Sequence, residues 1–264
     1  MSMEDYIAAR KEGVRQQHAL ESRGQDPYLP VLAELVPKLN QMAQVPLGLV
    51  QIALDQIEGT ATKGRTTAFA RGFLPLLEQD SEFATKWSLL YDGIVDDGLR
   101  QPIVALEYYN RFYVVEGNKR VSVMRRLDAV NIEANVTRVL PEAEDSERYR
   151  VYQEFLGFYA DTKINFIVFS REGSYEKLYK LMGKTPGEKW TPEDLFDFQS
   201  CFYRFQQAYL SKADGQMPMS ACDALLIYLE VFGYNDSVEK TPNEFGQEIE
   251  RIWSEFVVAA ANKP

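Results

Sequence analysis

A chain of 264 residues, 45% hydrophobic and 26% charged, is long enough to bury a complete core as one large domain or two small ones. Its 29 basic and 39 acidic residues leave a net charge of −10, which repels phosphate backbones at long range and makes DNA an unlikely partner. The single histidine, His18, and the two cysteines, Cys201 and Cys222, exclude an imidazole-built catalytic or metal site and a cysteine knuckle, so no metal ligands are expected.

The polar start Met1-Ser2-Met3-Glu4-Asp5-Tyr6 has no signal-type apolar core, and no run reaches the roughly 18–20 apolar residues that span a bilayer. A cytoplasmic protein with reduced thiols is the expectation. A first helix runs from about Glu4 to Arg23 and stops at the turn Gly24-Gln25-Asp26-Pro27. Leu32, Leu35, Val36 and Leu39 predict a second helix over about Pro30 to Met42, kinked or split at Pro37. A β-like run, Leu49 to Leu54, leads to a Gly/Thr-rich loop at 59–67 and helix-type sequence to about Leu77, interrupted by Pro75. Another helix, about Glu82 to Asp97, ends at Gly98. Ile103 to Glu107 and Phe112 to Val115 read as a hairpin across Tyr109-Asn110-Arg111. Gly117 opens a helix to about Ala129, and Ile132 to Val139 alternates as a strand.

Beyond Pro141 the pattern is mainly helical. The β-branched and aromatic run Ile164 to Phe169 predicts a buried strand, and Ser174 a cap for a helix over about Tyr175 to Met182. Further helices are expected over about Pro192 to Leu210, Ala221 to Phe232 and Asn243 to Ala260. Thr191-Pro192 and Thr241-Pro242 are good helix starts. Phe198, Phe202, Phe205 and Tyr209 fall at helical spacing and read as a packing stripe, while Asp96, Asp97, Glu142, Glu144 and Asp145 read as solvated.

The chemistry concentrates at Glu116-Gly117-Asn118-Lys119-Arg120, directly between a strand and a helix. A glycine there lets backbone approach a ligand, and the first helical turn presents N–H donors at the positive end of the helix dipole. Lys119 and Arg120 add full charges, and an arginine fork matches a phosphate. Val123, Met124 and Leu127 form the apolar face of this helix, with Arg120 in line with it. On spacing alone two readings stand. Arg120 either holds a ligand anion or pairs with an internal carboxylate such as Glu116 and braces the domain.

The order of features carries a resemblance. It runs from Ile52-Ala53-Leu54-Asp55-Gln56-Ile57 through Arg65 and two helices to Gly98-Leu99-Arg100-Gln101-Pro102-Ile103. The hairpin, Glu116-Gly117-Asn118-Lys119-Arg120 and Ile132-Glu133-Ala134-Asn135-Val136 then follow. In this order the stretch from about Leu49 to Pro141 resembles the ParB/sulfiredoxin superfamily, in which Gly-Glu-Arg-Arg opens the equivalent helix. The resemblance implies an α+β fold: a small mixed-sheet domain at 45–141, preceded by N-terminal helices at 1–44 and followed by a mainly helical domain at 142–264. It implies a ligand-binding set of Arg65, Thr66, Glu116, Gly117, Asn118, Lys119 and Arg120, gripping a phosphate-bearing small molecule. A nucleotide such as CTP, with magnesium, is the candidate. In sulfiredoxin the segment supplies a reactive cysteine; here Asn118 stands at that place and cannot serve as a thiol nucleophile. Asn118 also replaces the ParB glutamate, and the Glu-Asn-x-x-Arg stretch that helps ParB hold metal and nucleotide has no clear counterpart near Val151-Tyr152-Gln153-Glu154. Tyr175 to Lys184 imitates the first helix of a helix-turn-helix, but Thr185-Pro186-Gly187-Glu188-Lys189-Trp190 does not begin a recognition helix.

The whole chain most resembles the N-terminal ParB-like region of bacterial basic-membrane-protein family substrate-binding proteins. The cues are Pro27 to Leu32, Gly64 to Ala70, Glu116 to Val123 and Ala224 to Tyr228. A regulatory ligand-binding module, with a homodimer as candidate assembly, leads the expectations. A nucleotide hydrolase or phosphotransferase, or a non-enzymatic scaffold with a degenerate site, are the alternatives, and whether the chain is an enzyme stays open.

Overall fold

The computed structural model describes residues 2–64, 66–213 and 217–261. The fold is α+β, and the chain divides into two compact units, residues 1–142 and 143–264.

The first unit opens with α1 (Ser2–Glu21), whose buried positions Tyr6, Ala9 and Gly13 follow helical spacing. A Cβ on Gly13 would lie 2.7 Å from the Pro75 carbonyl oxygen, so the residue that reads as a helix breaker is what lets α1 lie close to the following segment. The expected helix over Pro30 to Met42 is reduced to α2 (Leu32–Leu35) and a 3-10 turn at Leu39–Gln41. Pro37 ends the first piece, and Leu32 and Leu39 instead pack with Tyr113 and Val139.

Strand β1 (Gln44–Ala53) begins earlier than the apolar run suggests. Pro46 and Gly48 flank a bulge in an edge strand, where the missing proline N–H removes no ladder bond. A short strand the sequence does not announce, β2 (Ile57–Thr60), follows. The helix-type stretch before Leu77 is instead two dipeptide strands, β3 (Phe69–Ala70) and β4 (Leu74–Pro75), paired antiparallel. Between them Gly72 and Phe73 both have positive φ, at 74° and 64°, which no helix continues through. Helix α3 (Glu82–Asp97) starts on a Ser81 cap; then come β5 (Ile103–Tyr108), β6 (Arg111–Glu116), α4 (Asn118–Arg126) and β7 (Asn131–Val139). Tyr109 and Asn110, with φ of 50° and 61°, make the tight hairpin turn between β5 and β6.

The main sheet has the order β1-β7-β5-β6-β2, with β1/β7 and β5/β6 antiparallel and β5/β7 and β2/β6 parallel. Ile103, Ala105, Phe112, Val114, Ile132, Ala134 and Val136 form one face of this sheet in the core, against Phe83, Ala84 and Trp87 of α3 and Val121 and Val123 of α4. Trp87 donates its indole N–H to Ser122 Oγ at 2.9 Å, tying the two helices together inside that core.

The second unit is helical: α5 (Glu147–Thr162), α6 (Ser174–Leu181), α7 (Pro192–Ala213), α8 (Ala221–Phe232), α9 (Pro242–Arg251) and α10 (Trp253–Ala261). The last two replace the single helix expected over Asn243 to Ala260, the chain breaking at Ile252 so that Trp253 and Phe256 meet the Tyr209 ring. Thr241 and Glu244 close a full capping box on α9. Phe198, Phe202, Phe205 and Tyr209 are all buried along α7. The run Ile164 to Phe169 is buried at Ile164, Ile167 and Phe169 but forms no strand. Its backbone is satisfied by side chains: Ile164 N–H donates to Thr162 Oγ1 at 3.1 Å, and Tyr175 O–H donates to the Ile167 carbonyl at 2.8 Å. Among the described residues no helix is long and apolar enough to cross a membrane.

Two features give measurable consequences. Glu107 and Arg138, register partners on β5 and β7, form a buried ion pair, and Glu107 also accepts the Asn110 N–H at 2.7 Å in the hairpin turn. Replacing one partner strands the other charge, so Glu107→Ala should lower the unfolding free energy by about 3–5 kcal/mol in denaturant titration, whereas Glu107→Leu with Arg138→Met should regain much of that loss. Cys201 and Cys222 are buried thiols not joined in a disulfide, and burial pushes the Cys201 thiol up to about 11. Because the reactive form is the thiolate, thiol reagents at pH 8 should label Cys201 slowly in the native state and at once in denaturant.

Candidate functional site

The strand-to-helix junction fixes each candidate side chain. Glu116 ends β6 and is exposed. Gly117 follows with φ 113° and ψ 21°, a left-handed setting that turns the chain directly into α4. A Cβ built on Gly117 would lie 2.7 Å from Ile103 Cγ2 on β5. The glycine is therefore required by the packing of the junction on its neighbouring strand, whatever binds there. The first bond of α4 runs from the Val121 N–H to the Gly117 carbonyl at 3.1 Å. The amides of the opening turn precede it, and Gly117, having no side chain, offers no cap of its own to this end. The nearby start of α3 differs: Ser81 Oγ accepts the Ala84 N–H at 3.2 Å and closes that helix end.

Two neighbouring cations of α4 face different surroundings. Lys119 places its ammonium 4.6 Å from the centroid of the Phe83 ring. It lines a cleft of about 410 Å³ together with Thr67, Ser81, Glu82, Phe83 and Lys86. Arg120, with its side chain only 15% exposed, donates through Nη2 to Glu116 Oε1 at 3.0 Å. Its Nη1 donates to the Gln101 carbonyl at 3.3 Å and to that of Pro102. It also borders a second cleft of about 300 Å³ with Leu89, Gly93, Leu99, Arg100 and Gln101. The Asn118 side-chain oxygen is buried and without a hydrogen-bond partner among the described residues.

Of the second expected contact, Thr66 opens a 3-10 turn, Thr66–Ala68, and donates from Oγ1 to the Lys63 carbonyl at 3.4 Å. Arg65 lies outside the described residues. The structure thus brings the Thr66–Ala68 turn and Lys119 to one cleft through Thr67, and turns Arg120 toward the 101–102 backbone. Sequence reasoning overlooked Ser81, Phe83 and Lys86; the signal available was a capping serine followed by the Glu82–Lys86 pair, bonded at 2.6 Å one turn into α3. It also overlooked Val121, which is fully buried, because the apolar face was drawn through Val123, Met124 and Leu127.

Chemically, the larger cleft gathers the Lys119 ammonium, the Glu82–Lys86 ion pair and the hydroxyl-bearing Thr67 and Ser81. Among the described residues no group of three or more His, Cys, Asp or Glu is placed to hold a metal ion. The junction itself is testable: Gly117→Ala meets both the left-handed backbone and the Ile103 side chain, and should destabilise the protein by about 1–3 kcal/mol in denaturant melts.

Compared with known proteins, the chain matches no family model, and no curated protein matches it. Among solved structures it is similar to sulfiredoxin from Arabidopsis thaliana, with 20% identity over 33% of this chain and 82% of that chain and a TM-score of 0.24. A likeness of that size carries no chemistry across to the cleft.

Proposed function

We propose that the first unit is a ParB-like regulatory module that binds a phosphate-bearing small ligand, a nucleotide such as CTP, at the opening turn of α4. The observation that supports this best is the meeting of Lys119 with the Thr66–Ala68 turn, residues some fifty positions apart, around one cleft beside a helix start to which Gly117 offers no cap. Helix dipole, amide donors and the Lys119 ammonium favour negative charge there, beside a Lys86 already paired with Glu82. The proposed ligand set remains Arg65, Thr66, Glu116, Gly117, Asn118, Lys119 and Arg120, with Lys119 as its leading charge because it lines the cleft, while the Arg120 guanidinium turns toward Glu116 and two carbonyls. Magnesium fits only as a companion of the nucleotide. Glu82 is the single carboxylate on the cleft, and a magnesium ion held that way takes most of its ligands from phosphates and water. A cytoplasmic regulatory role and a negligible affinity for DNA accompany this reading, given the net charge of −10.

The bonding of Arg120 favours a second reading, a scaffold in which the motif survives as a brace between Glu116 and the 101–102 backbone. Calorimetric titration with CTP and ATP, with and without magnesium, separates the two. Charge-assisted hydrogen bonds contribute about 1.5–3 kcal/mol, so Lys119→Ala should weaken nucleotide binding roughly ten- to hundredfold, with only a small drop in melting temperature from the lost Phe83 contact. Arg120→Ala should lower the melting temperature on either reading. If the wild type binds none of these nucleotides, or Lys119→Ala binds as the wild type does, the ligand-binding reading is wrong and the brace stands.

A further inference from the structure

The far end of α4 holds another guanidinium, and its electrostatics are incomplete. Arg125 is largely buried, and burial holds its pKa below the usual arginine value, with Asp55 and Glu58 opposing. Its Nη2 donates to the carbonyls of Leu54 at 2.7 Å and Ile57 at 2.8 Å, and its guanidinium carbon lies 5.2 Å from the Phe73 ring centroid. Among the described residues no carboxylate comes within 4.0 Å of it, whereas Arg120, Arg126 and Arg138 are paired with Glu116, Asp5 and Glu107. Dipolar carbonyls solvate one nitrogen but do not cancel the charge, and a buried cation without a counter-ion is costly.

Arg125 also lines a polar cavity of about 220 Å³, with Glu12, Phe73, Ser122, Arg126 and Asp128. Its Nη1 lies 3.5 Å from where a Cβ on Gly72 would be, on the turn that forms another wall. Ser122 Oγ accepts the Trp87 indole N–H, which leaves its own O–H to donate. Arg126 is neutralised by Asp5 at 3.1 Å. Glu12 and Asp128 are exposed carboxylates.

The charge pattern decides what the cavity can take. A phosphate would gain Arg125 but meet two carboxylates, and a simple amine would gain the carboxylates but meet Arg125. A small zwitterion satisfies both. We propose that this cavity binds a free α-amino acid, with its carboxylate on the Arg125 guanidinium and the Ser122 hydroxyl and its ammonium toward Glu12 and Asp128. The site lies about two helical turns from the α4 start and does not depend on a nucleotide binding there.

Titration of the full chain with the proteinogenic L-amino acids tests this, read by calorimetry and by amide chemical shifts. Acetate, methylamine and inorganic phosphate serve as partial ligands. At least one amino acid should bind, shifting the Ser122 and Arg125 amides, and more tightly than acetate or methylamine. Glu12→Gln and Asp128→Asn change exposed side chains, and asparagine accepts the positive φ of 52° at Asp128, so both variants should fold normally. Each should weaken amino-acid binding about three- to fivefold and leave acetate binding unchanged or improved. Arg125→Gln should abolish binding, and its melting curve reports whether the fold survives. Three results would overturn the proposal: no amino acid binding at about 10 mM, acetate or phosphate binding as tightly as the best amino acid, or Glu12→Gln and Asp128→Asn both binding like the wild type.

Discussion

The contact between Gly117 and Ile103 sets the geometry of the first unit. A side chain at either the wrong φ or the wrong distance would lift the start of α4 off β5. With α4 seated, Val121 and Val123 enter the core, Ser122 meets Trp87, and Arg120 lands within reach of the 101–102 carbonyls. Lys119 is left on the other side of the helix start, over Phe83. One backbone approach thus decides which cation bonds to the 101–102 backbone and which one lies over Phe83.

The clustering of arginines along α4 and β7 shows three ways of burying the same group. Arg138 has a carboxylate partner on the adjacent strand, and that carboxylate is itself anchored by a turn amide. Arg120 divides its donors between one carboxylate and two carbonyls. Arg125 bonds to carbonyls and lies by an aromatic face, with the Asp55 and Glu58 charges acting on it from beyond contact. Planar, delocalised and weakly hydrated, a guanidinium tolerates all three where an ammonium would not.

Much of this was legible in the sequence where period and punctuation agree. The Gly98 end of α3, the Tyr109-Asn110 turn and the Thr241-Pro242 start each reflect local backbone chemistry that tertiary contacts reinforce. The failures share another cause. Leu32 and Leu39 have helical spacing, yet they are buried by a sheet face that only residues near 113 and 139 create. Ile164 to Phe169 has the composition of a strand but finds no ladder among helices. The strand expected from Leu49 extends back past Pro46 and Gly48, which at a sheet edge are merely a bulge. For the site, residue identity at 116–120 was readable, but the division of labour between Lys119 and Arg120 was not. It depends on where residues 83 and 101–102 lie in space.

The topology also orders events during synthesis. Strand β1 carries no charged residue from Gln44 to Ala53, and its partner is β7, with Ala53 opposite Asn131 and Gln44 opposite Val139. Nearly the whole first unit must therefore leave the ribosome before β1 can pair. Until then an uncharged β-forming segment is exposed on the nascent chain, the kind of edge that templates association between neighbouring chains. Pro46, with no N–H to donate, and Gly48 interrupt that edge from the first moment, before any partner strand exists. A feature that looks like an irregularity in the finished sheet acts earliest as a guard on the unfinished one.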